Sequence, residues 1–189
     1  MDDVDREIIS QLQTSGRSSY ESIGKKIGYT GMGVKKRVEK LLREGAIKIS
    51  ALMNLKYFKL YAAVVLIETD GSETTSRLLE RFRSCPRLVH MFTTVGGYNI
   101  IALVVAENRE TFENISMEEC SLRSEKGIRR SEFYPISEAH YFPFLPVREH
   151  LTHRDLTIPP CNVDCKICER YESRNCVRCP STEYYLGSL

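Results

Sequence analysis

An α+β chain in three parts is predicted by three features of the sequence. Apolar residues recur at helical spacing through residues 1–45. The middle hundred alternates short apolar runs with helical patterns in the order strand-helix-strand-strand-helix-strand. Five of the seven cysteines fall within residues 161–179. A hydrophobic share of 42% and a charged share of 28% are those of a globular chain. The longest apolar runs, Leu60–Ile67 and Ile100–Ala106, have eight and seven residues, far short of the roughly 20 that span a bilayer. The first ten residues, MDDVDREIIS, are acidic and contain no apolar signal core. A cytoplasmic chain without membrane contact is therefore expected, and in that compartment thiols argue for metal or redox chemistry over structural disulfides.

In the first part, Val4, Ile8 and Leu12 form one apolar stripe on a helix ended by Gly16. Ser18-x-x-Glu21 has the capping-box pattern, predicting a second helix from about Ser19 that buries Ile23 and Ile27 and stops at Gly28. Thr30 can cap a third helix, with Val34, Val38, Leu41 and Leu42 inward and Gly45 as its stop. Lys35, Lys36, Lys40 and Arg43 mark its outer face. Two helices joined by a glycine turn, the second basic, make a helix-turn-helix, whose second helix enters a DNA major groove while its cations neutralise phosphates. The charge distribution agrees. Residues 1–56 hold 11 basic against 7 acidic side chains, whereas residues 57–157 hold 12 against 14.

The run Asp2-Asp3-Val4-Asp5-Arg6-x-Ile8-Ile9-x-x-Leu12, then Gly16-Arg17-Ser18, Ile27-Gly28-Tyr29-Thr30, Val34-x-x-Arg37-Val38-x-x-Leu41 and Gly45-x-Ile47 resembles the leucine-responsive/asparagine-type (Lrp/AsnC) regulators. The resemblance implies a winged helix-turn-helix with its recognition helix over Thr30–Glu44 and a wing after Gly45. Ser19, Thr30, Met32, Lys35, Lys36, Arg37, Lys40 and Arg43 are then the candidate contacts to double-stranded DNA. One departure stands out. Gly31-Met32-Gly33 occupies the start of the recognition helix, where base-reading side chains are expected, and each glycine lowers helix stability by about 1 kcal/mol. Discrimination then falls to Met32, Lys35, Lys36 and DNA shape.

The middle part predicts strands over Tyr61–Glu68, Leu88–Val95, Tyr98–Ala106 and Ile128–Tyr134, with Pro135 marking an edge or bulge. Helices are expected over Thr75–Arg83, using Leu78, Leu79 and Phe82, and within Arg109–Arg123, using Phe112, Ile115 and Met117. Gly96-Gly97 suits a two-residue hairpin turn. The order is that of a ferredoxin-like βαββαβ sandwich. Its strands are apolar on both faces and its helices cover only one, so a homodimer through the open face is expected. The family's effector domain has this order too, and its hairpin motif resembles Thr94–Ile101. Gly96, Gly97, Tyr98 and Asn99 are by that likeness candidate contacts to a small effector, with Asn99 standing where the family usually has Asp. The bland reading is that Gly-Gly only makes the turn. His90 reads as a packed strand residue, and His150-x-x-His153 as a minor candidate for a metal site.

Prolines 143, 146, 159 and 160 mark an extended connector to the third part, spaced Cys161-x3-Cys165-x2-Cys168-x7-Cys176-x2-Cys179. Two Cys-x-x-Cys pairs a short loop apart suit tetrahedral Zn²⁺ held by Cys165, Cys168, Cys176 and Cys179, leaving Cys161 as an alternative or fifth thiol. An iron–sulfur cluster is the alternative, and a metal-free thiol–disulfide sensor the third reading. Lys166, Arg170, Arg174 and Arg178 would offset thiolate charge. Cys85 and Cys120 read as ordinary buried side chains.

The expected domains are a DNA-binding unit over 1–56, an effector and dimerisation sandwich over 57–145, a connector over 146–160 and a Cys-rich metal module over 161–189. The expected function is transcriptional regulation through DNA, responsive to a small effector or to the metal or redox state of the tail. Two rivals remain. One is a sirohaem-type decarboxylase on the same fold, for which Arg129 and Arg130 are available. The other is a protein-interaction module using the tail.

Overall fold

The computed structural model describes residues 1–147 and 155–187. The chain divides into two compact units, Met1–Ala51 and Leu52–Leu189. The first unit thus ends earlier than residue 56, and the cysteine tail is part of the second unit rather than a module of its own. No helix among the described residues is long and apolar enough to cross a membrane.

The first unit holds α1 (Asp3–Thr14), α2 (Tyr20–Ile27) and α3 (Gly31–Arg43). Asp2 caps α1 in a reciprocal capping box with Asp5. The cap of α2 is Ser19, whose hydroxyl accepts from the Ser22 N–H at 3.1 Å. That is one residue beyond the Ser18 of the expected box. Thr30 caps α3 as expected, accepting from the Gly33 N–H at 3.1 Å. Ile8, Ile23, Val34 and Val38 form the core. Leu42 is exposed rather than inward. The wing expected after Gly45 does not form a strand: residues 46–52 carry none.

In α2, Gly24 lies where a Cβ would stand 2.4 Å from the Tyr29 carbonyl oxygen, and at Gly31 a Cβ would stand 2.9 Å from Glu21 Cγ. The turn between the two helices closes because neither helix carries a side chain at these positions. The first glycine of Gly31-Met32-Gly33 is therefore a packing requirement of the turn.

The second unit opens on β1 (Met53–Asn54), followed by β2 (Tyr61–Thr69), α4 (Ser72–Arg81), β3 (Leu88–Thr93), β4 (Ile100–Ala106), α5 (Arg109–Met117), β5 (Ile128–Pro135) and β6 (Phe144–Leu145). The four long strands form one antiparallel sheet in the order β3-β4-β2-β5, the ferredoxin-like arrangement. Pro135 sits on an edge strand, where its missing N–H interrupts no ladder. Ala63, Val65, Ile67, Ile100, Ala102 and Val104 face Leu78, Phe82 and Phe112 from the helices. Leu79 and Met117, expected inward, are exposed.

Among the described residues, the opposite sheet face is covered at one end only. Leu55, Ala62, Val89 and Val105 pack there with Leu60 and Leu145, and the small β1–β6 ribbon pairs Met53 with Leu145. Residues 144–145 therefore belong to the sandwich, within the expected span of 57–145. The ladder shifts between Leu88 and His90. Leu88 and Val89 are buried on opposite faces of the sheet, and beyond the shift His90 is exposed rather than packed, stacking on Phe92 at 5.7 Å between ring centroids.

Candidate functional site

On α3, Met32 is 64% exposed, and Lys35, Lys36, Lys40 and Arg43 are exposed beside it. These five side chains share one outward surface because Val34, Val38 and Leu41 fill the inward stripe. Lys35 pairs loosely with Glu39 at 3.7 Å. Arg37 is placed differently. Its guanidinium donates to Asp2 at 2.7 Å and to Asp5 at 2.8 Å, tying α3 to the start of α1. Those hydrogen bonds raise the Arg37 pKa further and hold the Asp2 carboxyl below its ordinary value, where the Asp5 N–H acts first and Arg37 second. Arg37 is thus a brace of the unit, while Ser19 and Thr30 spend their hydroxyls on helix caps.

The segment between β3 and β4 is wider than a two-residue turn. Thr94 N–H donates to the Asn99 carbonyl at 3.0 Å, leaving four residues in the loop. Neither Gly96 nor Gly97 has the positive φ that such a tight turn demands. A side chain at either would meet nothing within 4 Å. Asn99 has an internal role: its amide oxygen accepts from the Thr69 N–H at 2.9 Å and its NH₂ donates to the Thr69 hydroxyl at 2.8 Å. A carboxylate at this position could only accept from Thr69, whereas the amide both accepts and donates. Tyr98 is bonded to Glu132 and receives the Arg130 side chain, whose guanidinium lies 4.4 Å from the ring centroid. Burial and the Glu132 acceptor raise the Tyr98 pKa, and the Tyr134 and Tyr98 hydroxyls lower that of Glu132.

The cysteine tail lies against the sandwich beside α5. It carries a short helix, α6 (Glu169–Glu172), and a parallel bridge between Leu156 and Thr182. The Asn114 amide donates to the Asn175 carbonyl at 2.6 Å, Val177 N–H to Thr111 Oγ1 at 3.3 Å, and Tyr185 Oη to Glu107 at 2.8 Å. Arg87 is at the centre of this junction. It donates twice to Glu107 at 2.9 Å and also to the Arg178 carbonyl. Burial is the largest influence and works against its charge, but Glu107 together with the Cys179 and Cys176 sulfurs raises the Arg87 pKa.

Cys161, Cys165, Cys176 and Cys179 line a cavity of about 60 Å³ whose remaining wall includes Cys85 and Cys120 of the sandwich. Cys168 instead lines an open groove with Arg81, Glu118 and Arg170. The expected four thiols are therefore not the set gathered here: Cys161 joins three of them at the cavity, and Cys168 does not. All seven cysteines are free. Burial, reinforced by neighbouring thiols, pushes Cys85 up to about 11 and Cys120 and Cys165 up to about 12. As placed, no three Cys, His, Asp or Glu side chains among the described residues stand close enough to hold a metal ion. Of the expected balancing cations, Arg178 lines the cavity, Arg170 pairs with Glu118 at 3.0 Å and Lys166 lies over Tyr184. His150 and His153 fall outside the described residues. Cys85 and Cys120 are half-buried small side chains, as expected, and their spacing carried no signal that they share a cavity with the tail cysteines.

Residues 1–42 match the AsnC-type helix-turn-helix domain and residues 62–141 the Lrp/AsnC ligand binding domain. An uncharacterised HTH-type transcriptional regulator of Pyrococcus abyssi is 31% identical over 135 residues, covering 70% of this chain and 83% of that protein. Among solved structures, AsnC of E. coli superposes with a TM-score of 0.65 at 18% identity, over 75% of this chain and 95% of that one. The transcriptional regulator NMB0573 of Neisseria meningitidis, solved as an L-Met complex, gives 0.67 at 15% identity, over 81% and 98%. The tail beyond residue 141 lies outside both family matches. The chain belongs to the Lrp/AsnC family, whose members are DNA-binding transcriptional regulators rather than enzymes.

Proposed function

We propose that the protein acts in the cytoplasm as a homodimer that lays α3 of each copy in a major groove of double-stranded DNA. The observation that carries this reading is the outward face of α3, where Met32, Lys35, Lys36, Lys40 and Arg43 converge. Lysines on such a face contact phosphates, and each contact contributes about 0.9 to the slope of log affinity against log salt. Lys36→Ala and Lys40→Ala are each expected to lower that slope by about one in a DNA titration, with an unchanged melting temperature. Unaltered slopes in both variants would rule out this face. Arg37→Ala is expected to do the reverse, lowering the melting temperature of the first unit with little change in slope.

The open part of the sheet supports pairing of two copies. Val64, Leu66 and Ile101 are half-buried there, with Phe92 and Tyr134 more than half exposed, and a second sheet would remove this apolar surface from water. Phe92→Glu is expected to yield a folded monomer in sedimentation equilibrium; a dimer of unchanged affinity would place the interface elsewhere. We further propose that a small effector of the class held by the Neisseria regulator, solved with L-Met, binds near Gly96, Gly97 and Tyr98, where the Arg130 guanidinium lies over the tyrosine ring. Asn99 serves the fold rather than the ligand.

A further inference from the structure

We propose that the cavity between the sandwich and the tail is a thiolate metal site, in which at least one of Cys85 and Cys120 joins tail cysteines as a ligand. Six thiols from four separate stretches of chain meet at this one cavity. Four of them come from the tail, which the Cys-x-x-Cys spacing would have close on itself. The other two come from the turn before β3 and the segment after α5.

Cysteines behave as small apolar side chains when buried, and that role alone accounts for thiols on an apolar wall. It does not account for Arg178. This residue lines the cavity, is 6% exposed, and its Nε has no hydrogen-bond partner among the described residues. Its guanidinium is sandwiched by Tyr171 and Tyr184, at 3.2 and 4.9 Å to the ring centroids. A buried cationic donor without an acceptor is costly unless an anion stands beside it. Nearby Arg87 is already neutralised by Glu107. A metal bound by four thiolates carries the missing negative charge at this place. The Arg178 backbone N–H already points to the Cys176 sulfur at 3.4 Å, the kind of N–H···S contact that tunes thiolate ligands.

The donor set selects a soft, tetrahedrally bound ion, with zinc as the leading occupant. Binding replaces the thiol protons with metal, releasing them to solvent, so no oxidant or reductant takes part. Ligand distance is reached only if the lining sulfurs turn about χ1, the torsion that moves each of them. A centre of this kind would cross-link the tail to the sandwich that carries the effector loop.

The test is an anaerobic titration of the reduced full-length chain with cobalt(II), then displacement by zinc. The thiolate-to-metal charge-transfer band is expected in the wild type and, with the same affinity, in Cys168→Ser. Cys176→Ser is expected to abolish it, and Cys85→Ser or Cys120→Ser to weaken binding by about tenfold or more. No band in the wild type would overturn the proposal. So would loss of binding in Cys168→Ser together with unchanged affinity in both sandwich variants. Because a serine in a core can unfold its host, the wild-type protein loaded with cadmium supplies a second measurement. Scalar coupling from cadmium to the β-protons of Cys85 or Cys120 is expected; coupling confined to tail cysteines would refute the shared site.

Discussion

Glu107→Ala is expected to lower the stability of the second unit by about 3–5 kcal/mol, the usual consequence of removing one partner from a buried ion pair. The Glu107 side chain is 3% exposed and that of Arg87 10%. Deleting the carboxylate leaves a guanidinium in a poorly solvated place with the Arg178 carbonyl as its remaining hydrogen-bond partner among the described residues. Tyr185 Oη loses its acceptor in the same step. The loss exceeds that of either hydrogen bond alone because the remaining charge is stranded, and charges are expensive in a low-dielectric interior. Urea unfolding measures it: the midpoint should fall with an unchanged slope. Arg87→Met combined with Glu107→Leu should recover most of the loss, since an apolar pair strands no charge. A Glu107→Ala stability within about 1 kcal/mol of wild type would mean that water reaches Arg87. The pair also sits where the tail meets the sandwich, so limited proteolysis of Glu107→Ala should cut the tail first.

Why this junction escaped the sequence reading is a matter of range. Helix and strand periods are local, so the stripe Val4-Ile8-Leu12 and the run YAAVVLIE announced α1 and β2, the latter one residue short of its observed end. The outer face of α3 was legible for the same reason: it is the surface that the inward stripe leaves over. Arg37 lies within that basic run, and only the fold shows Asp2 and Asp5 within reach of it. His90 failed for a different reason. A strand's alternation predicts its faces only while the ladder is regular, and the irregularity after Leu88 puts the next residues on the opposite faces. The thiols were the hardest case. Spacing within 161–179 invites a closed tail site, yet Cys85 and Cys120 reach the same cavity from far away in the chain. Distant pairings leave no mark in one sequence.

Gly24→Ala is expected to destabilise the first unit by about 2 kcal/mol and to abolish DNA binding at working temperature. In an unconstrained helix the change would be favourable, by about 1 kcal/mol of helix propensity. Here the new methyl would stand 2.4 Å from the Tyr29 carbonyl oxygen and 3.1 Å from the Thr30 carbonyl carbon, both backbone atoms that no rotamer can clear. The helices must separate, and overpacking of this kind costs about 1–3 kcal/mol, occasionally more. The first unit has a core of only four fully buried apolar side chains, Ile8, Ile23, Val34 and Val38, and small domains have little stability to lose. Gly33→Ala provides the comparison. There the new methyl meets the Thr30 hydroxyl, which caps α3, at 3.2 Å and the Tyr29 ring at 3.9 Å, both side-chain rather than backbone atoms. Its gain in helix propensity should roughly offset the tight contact, leaving stability within about 1 kcal/mol of wild type. Circular dichroism melts and DNA titrations of the two variants measure the difference. Equal behaviour would mean that α2 and α3 do not require the bare backbone at Gly24, and that the recognition helix is held at its angle by the small apolar core alone.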